Sequence, residues 1–307
     1  MARALKRASL ADDLARRQGQ AAGGAVGQSY WQIAWRRFTK HRLAMVGAAA
    51  AIGLTLMAVL APWVAPHPPD RISLDSRWRS PETAHYFGTD ELGRDVLARI
   101  IYAGRISLTI GYVVAVKISV IGMVVGAVSG FYGGKVDMTL MRLVDMLLSI
   151  PTLPLYLILA ALLPGGGVAR IILIFTAFGW TGVARLVRGQ VLTLKTQDFV
   201  DAARAMGASE TRLILRHLLP NATAPVIVAA TLAVGGAILG ESALSYLGVG
   251  IAPPTASWGN MLQRAQEYIW NASWLAVFPG VFIFVTVLSF NFLGDGLRDA
   301  LDPRLRV

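Results

Sequence analysis

The chain has 307 residues, of which 55% are hydrophobic and only 15% are charged, whereas an ordinary soluble domain carries about 25% charged residues. Because so few charges could not cover the apolar surface of a soluble protein of this length, the composition predicts a membrane protein. Lys and Arg outnumber Asp and Glu by 29 to 18, an excess that in so hydrophobic a chain indicates basic inner loops rather than nucleic-acid binding. The chain contains no cysteine, which excludes disulfides, zinc–thiolate sites and iron–sulfur clusters.

The N-terminal segment, residues 1–42, is predicted to be a cytoplasmic tail that ends in a surface helix. Its first 29 residues are charged at the start and then rich in Gly, Ala and Gln, a composition typical of disorder. In residues 30–42, Trp31, Trp35 and Phe38 recur at helical spacing beside several basic residues. This pattern predicts an amphipathic helix on the inner membrane surface. The alternative is a plain basic flank of the first span.

Six apolar stretches follow, each a candidate for the roughly 20 residues that a helix needs to cross the hydrocarbon core of a bilayer. The fourth has only 14 residues, between Arg170 and Arg185, and could also be a buried helix of a soluble protein. We predict that it spans, because the two long side chains can reach outward to the polar headgroups. The predicted spans are residues 43–66, 106–134, 146–169, 171–184, 218–240 and 268–294, the last with its apolar part starting near Trp274.

These stretches predict an all-α, polytopic membrane protein with six transmembrane helices. After the first span, residues 67–105 would form an extracytoplasmic loop. Residues 106–296 would form a five-helix core with a cytoplasmic loop at 198–220, and residues 297–307 a cytoplasmic tail. The predicted inner segments contain 20 Lys and Arg residues and the outer segments contain 8. Because inner loops are enriched in basic residues, this difference places both termini in the cytoplasm.

Glycines recur at four-residue spacing in two of the spans. Gly122, Gly126 and Gly130 form a doubled GxxxG pattern in the second span, and Gly236 and Gly240 repeat the spacing in the fifth. Small residues at this spacing share one face of a helix and let a neighbouring helix approach closely. We predict that the three glycines of the second span form a helix-packing face.

Ionisable residues within the spans are few. Lys117 lies about eleven residues into the second span, where a charge facing lipid would be costly. It either lines a polar pathway, pairs with a carboxylate or reaches the headgroups. Glu241 and Asp145, at the ends of two spans, are weaker candidates for the same pathway. The histidines all lie outside the spans, at His41, His67, His85 and His217. We therefore predict no metal site within the membrane, and neither a bound metal nor a cofactor on this chain.

Motifs of nucleotide-binding and hydrolytic enzymes do not occur in the sequence. Gly134 and Lys135 are followed by Val136 instead of the Ser or Thr of a P-loop, and neither HExxH nor GxSxG is present. We therefore predict no catalytic residues and no ATPase site on this chain. Any energy from ATP must then arrive through a bound partner.

The predicted inner loop at 198–220 reads DFVDAARAMGASETRLILRHLLP. Asp198 is expected to cap a first helix, with Asp201 as the third residue of its first turn. Gly207 is expected to end that helix in the left-handed conformation, and Ser209 to cap a second helix. Two short helices, bent at a glycine, would then project into the cytoplasm.

One face of the first loop helix is apolar and lined with small residues. Phe199, Ala202, Ala203 and Met206 fall at positions i, i+3, i+4 and i+7. An ordinary structured loop could carry such a face. Exposure of these residues to water is better explained by docking to a partner protein.

The spacing of this loop resembles the EAA loop of ABC-importer permeases, whose pattern is E-A-A-x3-G-x9-I-x-L-P. Asp201 stands in place of the glutamate, and His217 in place of the isoleucine, as is frequent in the peptide-transport subfamily. Other segments of the chain also resemble the peptide-transport subfamily, namely RRFTKHRLAMVG, FGTDELGRDVLARIIYAGRISL, MRLVDMLLSIP, SWGNML and NFLGDGLRDALDPR. The chain thus resembles the C-type permease subunit of dipeptide, oligopeptide or nickel ABC importers.

The resemblance implies a subunit of a bacterial or archaeal inner membrane that forms a heterodimer with a second permease. Two ATPase subunits, which bind ATP and Mg, would dock on the cytoplasmic loops, and an extracytoplasmic binding protein would deliver the substrate. Membrane lipid would surround the spans, and no nucleic acid is implied. The residues assigned to ATPase coupling are Phe199, Asp201, Ala202, Ala203, Met206, Gly207, Arg212, Leu219 and Pro220.

Di- or oligopeptides are the expected cargo, and nickel or another small solute is the alternative within the same architecture. A channel unrelated to ABC importers and an intramembrane enzyme are remoter alternatives. A channel would need charged rings or a carbonyl filter, and an enzyme would need clustered His, Asp, Glu or Ser in the spans. The sequence displays neither pattern.

Overall fold

The computed structural model describes residues 30–165 and 167–301, and over this range the chain is built from helices without a β-strand. The predicted disordered tail falls on residues 1–29, outside the described part, as do residues 302–307 of the predicted C-terminal tail. The helices of the described part are α1 Tyr30–Lys40, α2 Arg42–Val59, α3 Ala61–Val64, α4 Val96–Tyr132, α5 Gly134–Leu148, α6 Thr152–Leu162, α7 Val168–Leu194, α8 Asp198–Ala205, α9 Glu210–Tyr246, α10 Trp258–Tyr268 and α11 Trp274–Leu301.

Five of these helices, α2, α4, α7, α9 and α11, are long and apolar enough to cross a membrane. The pair α5 and α6 is a sixth candidate, because together they pass the same test, but they bend by 84° at the break between them. Pro151 lies at this break. Proline has no N–H donor and disfavours helical geometry in the residue before it. The predicted fold class, an all-helical polytopic membrane protein, is confirmed for the described residues.

The helix of the second span begins at Val96, so the predicted outer loop at 67–105 ends ten residues too late. Asp95 caps this helix by accepting a hydrogen bond from the backbone N–H three residues on. Arg99 lies inside the added stretch and is buried, with its guanidinium 3.7 Å from the carboxylate of Asp90. The charge therefore has a partner within the protein. Hydropathy alone assigned it to a loop, because the partner is not visible in the local sequence.

The third span, predicted for residues 146–169, has other bounds in the structure, because the corresponding candidate is the bent pair α5 and α6, which begins at Gly134. The fourth stretch proves long enough to span, since α7 has 27 residues. Arg170 does not extend outward as predicted. Its guanidinium donates hydrogen bonds to the carbonyl oxygens of Ala160 at 2.9 Å and Val249 at 2.8 Å. It therefore links α6, α7 and the segment after α9.

The last two spans also differ from their predicted bounds. The fifth span, predicted for residues 218–240, belongs to α9, which begins at Glu210 and runs for 37 residues. The sixth span is α11, which begins at Trp274, where the apolar part of the predicted stretch was expected to start, and it runs past the predicted end at residue 294. Because α11 continues to Leu301, the described part of the predicted tail is helical.

The helix predicted at the end of the N-terminal segment is present as α1. Ala34 and Phe38 are buried on the side that packs against α11, while Trp35 on the other side is 67% exposed. His41 separates α1 from α2, and its Nδ1 accepts a backbone N–H from the first turn of α2 at 3.1 Å. The side chain of Trp31 lies outside the described part. A position of α1 on a membrane surface stays a prediction.

The glycine face of α4 lies against α7, its most extensive packing partner. A Cβ atom at Gly122 or Gly126 would lie 2.5 Å from an atom of α7, and one at Gly130 would lie 3.0 Å away. A larger residue at any of the three would force the helices apart. The second GxxxG pattern is used only in part. A Cβ at Gly240 would contact an aromatic ring of α7 at 3.1 Å, whereas no atom lies within 4 Å of one at Gly236.

Glu241 is fully buried where α4, α9 and α10 meet. Its carboxylate accepts hydrogen bonds from the hydroxyls of Ser245 at 2.6 Å, Ser257 at 2.7 Å and Ser107 at 3.4 Å. Burying a carboxylate is tolerated only when such partners are present. The enclosure of this side chain argues against the pathway role considered for it, and assigns it to joining three helices.

Candidate functional site

The loop that carries the predicted coupling residues begins directly at the end of α7. Lys195 ends α7, and its ammonium donates a hydrogen bond to the carbonyl oxygen of Gly130 near the end of α4, at 2.9 Å. After a two-residue turn the chain enters α8. The position of α8 is therefore set by the packed pair α4 and α7.

The start of α8 differs from its prediction. Gln197, not Asp198, is the N-cap residue, and no side chain bonds to the free N–H groups of the first turn. Asp201 does not cap the helix, because its carboxylate accepts a hydrogen bond from the Arg204 guanidinium at 3.0 Å. Both acids still lie in the first turn, where negative charge is favourable near the helix N-terminus.

The two sides of α8 have opposite environments. Phe199 is 41% exposed, Met206 is 83% exposed, and Ala202 is exposed between them. Val200 and Ala203 point the other way and are buried among core residues. The predicted docking face is therefore wrong at Ala203, which belongs to the core. Successive residues of an α-helix are rotated by about 100°, so two neighbouring alanines can lie on different sides of the boundary between the exposed and the buried face. The sequence pattern did not show where that boundary lies.

Gly207 adopts the predicted left-handed conformation, with φ of +83°. Its N–H donates to the carbonyl of Arg204 at 2.9 Å, and the N–H of Ala208 donates to the carbonyl of Ala203 at 3.1 Å. These two bonds close the helix as a Schellman motif. No atom lies within 4 Å of a Cβ built at Gly207. The requirement for glycine here comes from the backbone angle and not from lack of space.

The second loop helix is the beginning of α9 and not a separate short helix. Ser209 caps it as predicted, with its hydroxyl accepting the N–H of Arg212, whose side chain is exposed. Leu213 and Leu218 bury this first part in the core. The stretch between them is a π-helix and ends just before Pro220, which cannot supply the N–H of a regular α-helical bond. The helix nevertheless continues into the membrane-spanning part.

The remaining two predicted coupling residues lie at this junction. Leu219 is half-buried against the core, and Pro220 is exposed. Neither belongs to the exposed face of α8. Both lie where the π-helical part of α9 ends and its regular α-helical part begins.

An ion pair joins the ends of the helices beside α8. Arg188 of α7 donates to the carboxylate of Asp137 of α5 at 2.6 Å, and the hydroxyl of Ser129 of α4 donates to the same carboxylate. Three helices thus meet on one side chain. The sequence analysis did not single out this cluster, because its members lie far apart along the chain.

Lys117 lies on a side of α4 that no other helix of the described residues covers. It is exposed together with Val116 and Val120, and its ammonium has no ion pair within the described residues. Asp145, the other acid weighed for a pathway, contacts Arg185 of α7. Of the charges considered for a path, only Lys117 is both exposed and unpaired in the described part of the chain.

The long apolar helices of the described part, five or six of them candidate membrane spans, are those of a polytopic membrane permease. Residues 122–307 match the family described as binding-protein-dependent transport system inner membrane component. Residues 29–81 match the N-terminal TM domain of oligopeptide transport permease C. The chain therefore belongs to the inner-membrane permeases of binding-protein-dependent ABC importers, as a C-type subunit.

Individual relatives cover nearly the whole chain. The dipeptide transport system permease protein DppC of Bacillus subtilis is 46% identical over 279 residues, which are 91% of this chain and 87% of the relative. The oligopeptide transport system permease protein OppC of the same organism is 42% identical over 278 residues, 91% of each chain. The glutathione transport system permease protein GsiD of Escherichia coli is 40% identical over 277 residues, 90% of this chain and 91% of the relative.

Proposed function

We propose that this chain forms half of the translocation path of an ATP-driven peptide importer and receives the force of ATP hydrolysis through α8. The observation that carries the proposal is the exposed apolar face of Phe199, Ala202 and Met206 on a helix whose other side is buried in the core. A buried side makes α8 a rigid part of the membrane domain. An exposed apolar side needs a partner.

Peptides are the cargo that the relatives favour. The three relatives named above are described as permeases for dipeptides, oligopeptides and glutathione, itself a small peptide. We infer the same class of cargo for this chain, with nickel or another small solute as the alternative. The exposed side of α4 around Lys117 is the part of the chain that we assign to the path or to the second permease.

The partners follow from what the chain lacks. It has no P-loop, so two ATPase subunits would bind ATP and Mg and dock on α8 and its counterpart in a second permease. An extracytoplasmic binding protein would deliver the peptide. We further propose that both termini lie in the cytoplasm, because the basic residues concentrate in the segments on that side.

Motion of a docked ATPase can reach the membrane part by two routes. One runs from α8 through Lys195 into the α4 and α7 pair. The other runs through the core contacts of Val200 and Ala203 with the buried beginning of α9. Because both routes consist of packed helices, displacement of α8 would tilt the spans as rigid bodies and switch the path between inward-open and outward-open states.

The test compares two neighbouring alanines of α8. Ala202→Trp places an indole on the exposed face, so we expect the ATPase to be lost on co-purification while the melting temperature of the permease pair stays unchanged. Ala203→Trp forces the same group into the core, so we expect a lower melting temperature, because overpacking costs about 1–3 kcal/mol. Uptake of peptide into vesicles should fail in both variants.

Ala202→Ser is the control and should retain the ATPase and transport. The assignment of α8 to coupling is rejected if Ala202→Trp binds the ATPase and drives uptake like the wild type. Uptake of a different solute by an intact complex would leave α8 in its role and overturn only the peptide cargo.

A further inference from the structure

Three side chains with metal-binding groups meet on the loop between α3 and α4. His67, His85 and Asp95 each offer one ligand atom, and these atoms lie within 4.8 Å of one another. Asp95 is buried and the two histidines are half-buried. Nδ1 of His85 lies 2.8 Å from Oδ2 of Asp95, and the two imidazole rings are 5.2 Å apart between centroids. The cluster is remote from α8, at the opposite end of α4, a helix about 55 Å long.

Hydrogen bonds orient the three ligand groups of the cluster. Nε2 of His67 lies 3.1 Å from the carbonyl oxygen of Ala84. Because a carbonyl can only accept, Nε2 carries the proton and Nδ1 keeps a free lone pair. Oδ1 of Asp95 accepts the backbone N–H of Ala98 at 2.7 Å, while Oδ2 accepts the Nδ1–H of His85, so metal binding at these two atoms releases that proton to solvent. Bonds of this kind orient metal ligands in proteins by holding the second atom of each group.

We propose that His67, His85 and Asp95 bind a divalent transition-metal ion with the preferences of zinc. Two imidazoles and one carboxylate are a ligand set that zinc uses in sites with one open position. Metal–ligand bonds of about 2.0–2.1 Å place neighbouring ligand atoms of a tetrahedral site about 3.3 Å apart. The distance of 2.8 Å between His85 and Asp95 has to widen slightly, and His67 has to approach.

The site has a structural consequence for the outer ends of the first two spans. His67 follows shortly after α3, whereas Asp95 is the N-cap of α4. A bound ion would cross-link these two points, which are well separated along the chain, and would restrict the loop between them. Since the ion binds the folded loop, it stabilises the protein by mass action. This role is independent of peptide cargo and of ATPase docking.

The test uses the purified transporter complex with the full chain, prepared without a histidine tag and stripped by a chelator. The complex is equilibrated with zinc, dialysed and analysed for bound metal, and its melting temperature is measured with and without zinc. His67→Ala removes one ligand but leaves the bond between His85 and Asp95. Asp95→Asn keeps an oxygen that can cap α4 but removes the carboxylate. His217→Ala is the control, a histidine outside the cluster.

We expect the wild type and His217→Ala to retain one zinc ion more per complex than His67→Ala and Asp95→Asn. The rise in melting temperature with zinc should be lost in the two ligand variants. Cobalt in place of zinc should give visible absorption bands in the wild type that are missing in both ligand variants. Equal metal content in the wild type and His67→Ala, including none in either, would overturn the proposal. If His67→Ala does not assemble, the same comparison with Asp95→Asn decides.

Discussion

The backbone at Gly207 shows how a single residue can be required without any contact of its side chain. Its φ of +83° lies in a region that residues with a Cβ rarely adopt, although open space surrounds the position. The two hydrogen bonds of the Schellman motif close α8 at this point, three residues before α9 begins at Glu210. The residue therefore fixes the angle at which the exposed face of α8 is presented.

We predict that Gly207→Val strongly reduces transport, whereas Gly207→Asn retains most of it. Backbone strain of about 2 kcal/mol for valine would lower the population of the native turn about 30-fold. Asparagine is tolerated in the left-handed conformation and serves as the matched control. The measurement is ATP-driven uptake in vesicles together with recovery of the ATPase. Wild-type uptake by the valine variant would show that the turn does not control coupling.

Three charged residues of the long helices have partners within the protein. Arg99, Arg170 and Glu241 would each be costly in lipid. In the structure Arg99 faces a carboxylate, Arg170 bonds to backbone carbonyls, and Glu241 accepts bonds from serine hydroxyls. A buried charge is tolerated because of such partners. Its presence in a span is therefore no evidence of a transport pathway until its partners are known.

At the scale of elements, the packing of α4 against α7 is the most extensive contact between two described helices. Three glycines at four-residue spacing bring the backbones close, and the ion pair of Arg188 with Asp137 adds α5 to the pair. Dispersion contacts between closely packed helices replace the hydrophobic driving force that is missing within lipid. Since α8 follows directly on α7, this contact also sets the position of α8.

We predict that Gly126→Ala destabilises the permease, because its Cβ would lie 2.5 Å from the carbonyl oxygen of Ala184. Displacing a backbone costs about 1–3 kcal/mol, so the melting temperature of the complex should fall by several degrees. Gly182→Ala is the control on α7, since no atom lies within 4 Å of its Cβ, and it should melt like the wild type. Equal melting temperatures of the two variants would show that α4 and α7 do not pack at Gly126.

For the whole molecule, the orientation in the membrane rests on the distribution of basic residues, and the lack of cysteine makes it testable. We predict that Ser80→Cys and Ser273→Cys react with an impermeant thiol reagent in sealed cells. Thr39→Cys and Thr196→Cys should react only after permeabilisation. All four side chains are exposed. Reaction of position 39 or 196 in sealed cells would reverse the proposed orientation. Ser257 is unsuitable as an outer site because it is buried beside Glu241.

Some features of this protein are determined by the sequence alone. Composition and long apolar stretches establish the membrane class, because the length of a spanning helix follows from the bilayer thickness. The left-handed turn at Gly207 and the cap at Ser209 were predictable, because each depends on residues within one helical turn. The glycine face of α4 was predictable for the same reason. The pattern of the loop was sufficient to identify the family.

Only the tertiary structure decided which side of each helix is covered. It buried Ala203 and exposed Ala202, extended α4 back to Val96 past two arginines, and turned Arg170 inward. It also brought His67 to Asp95. In each case the deciding neighbour is distant in sequence. The free energy of a side chain depends on whether its charge is paired and its apolar surface covered, and those partners meet it only when the chain has folded.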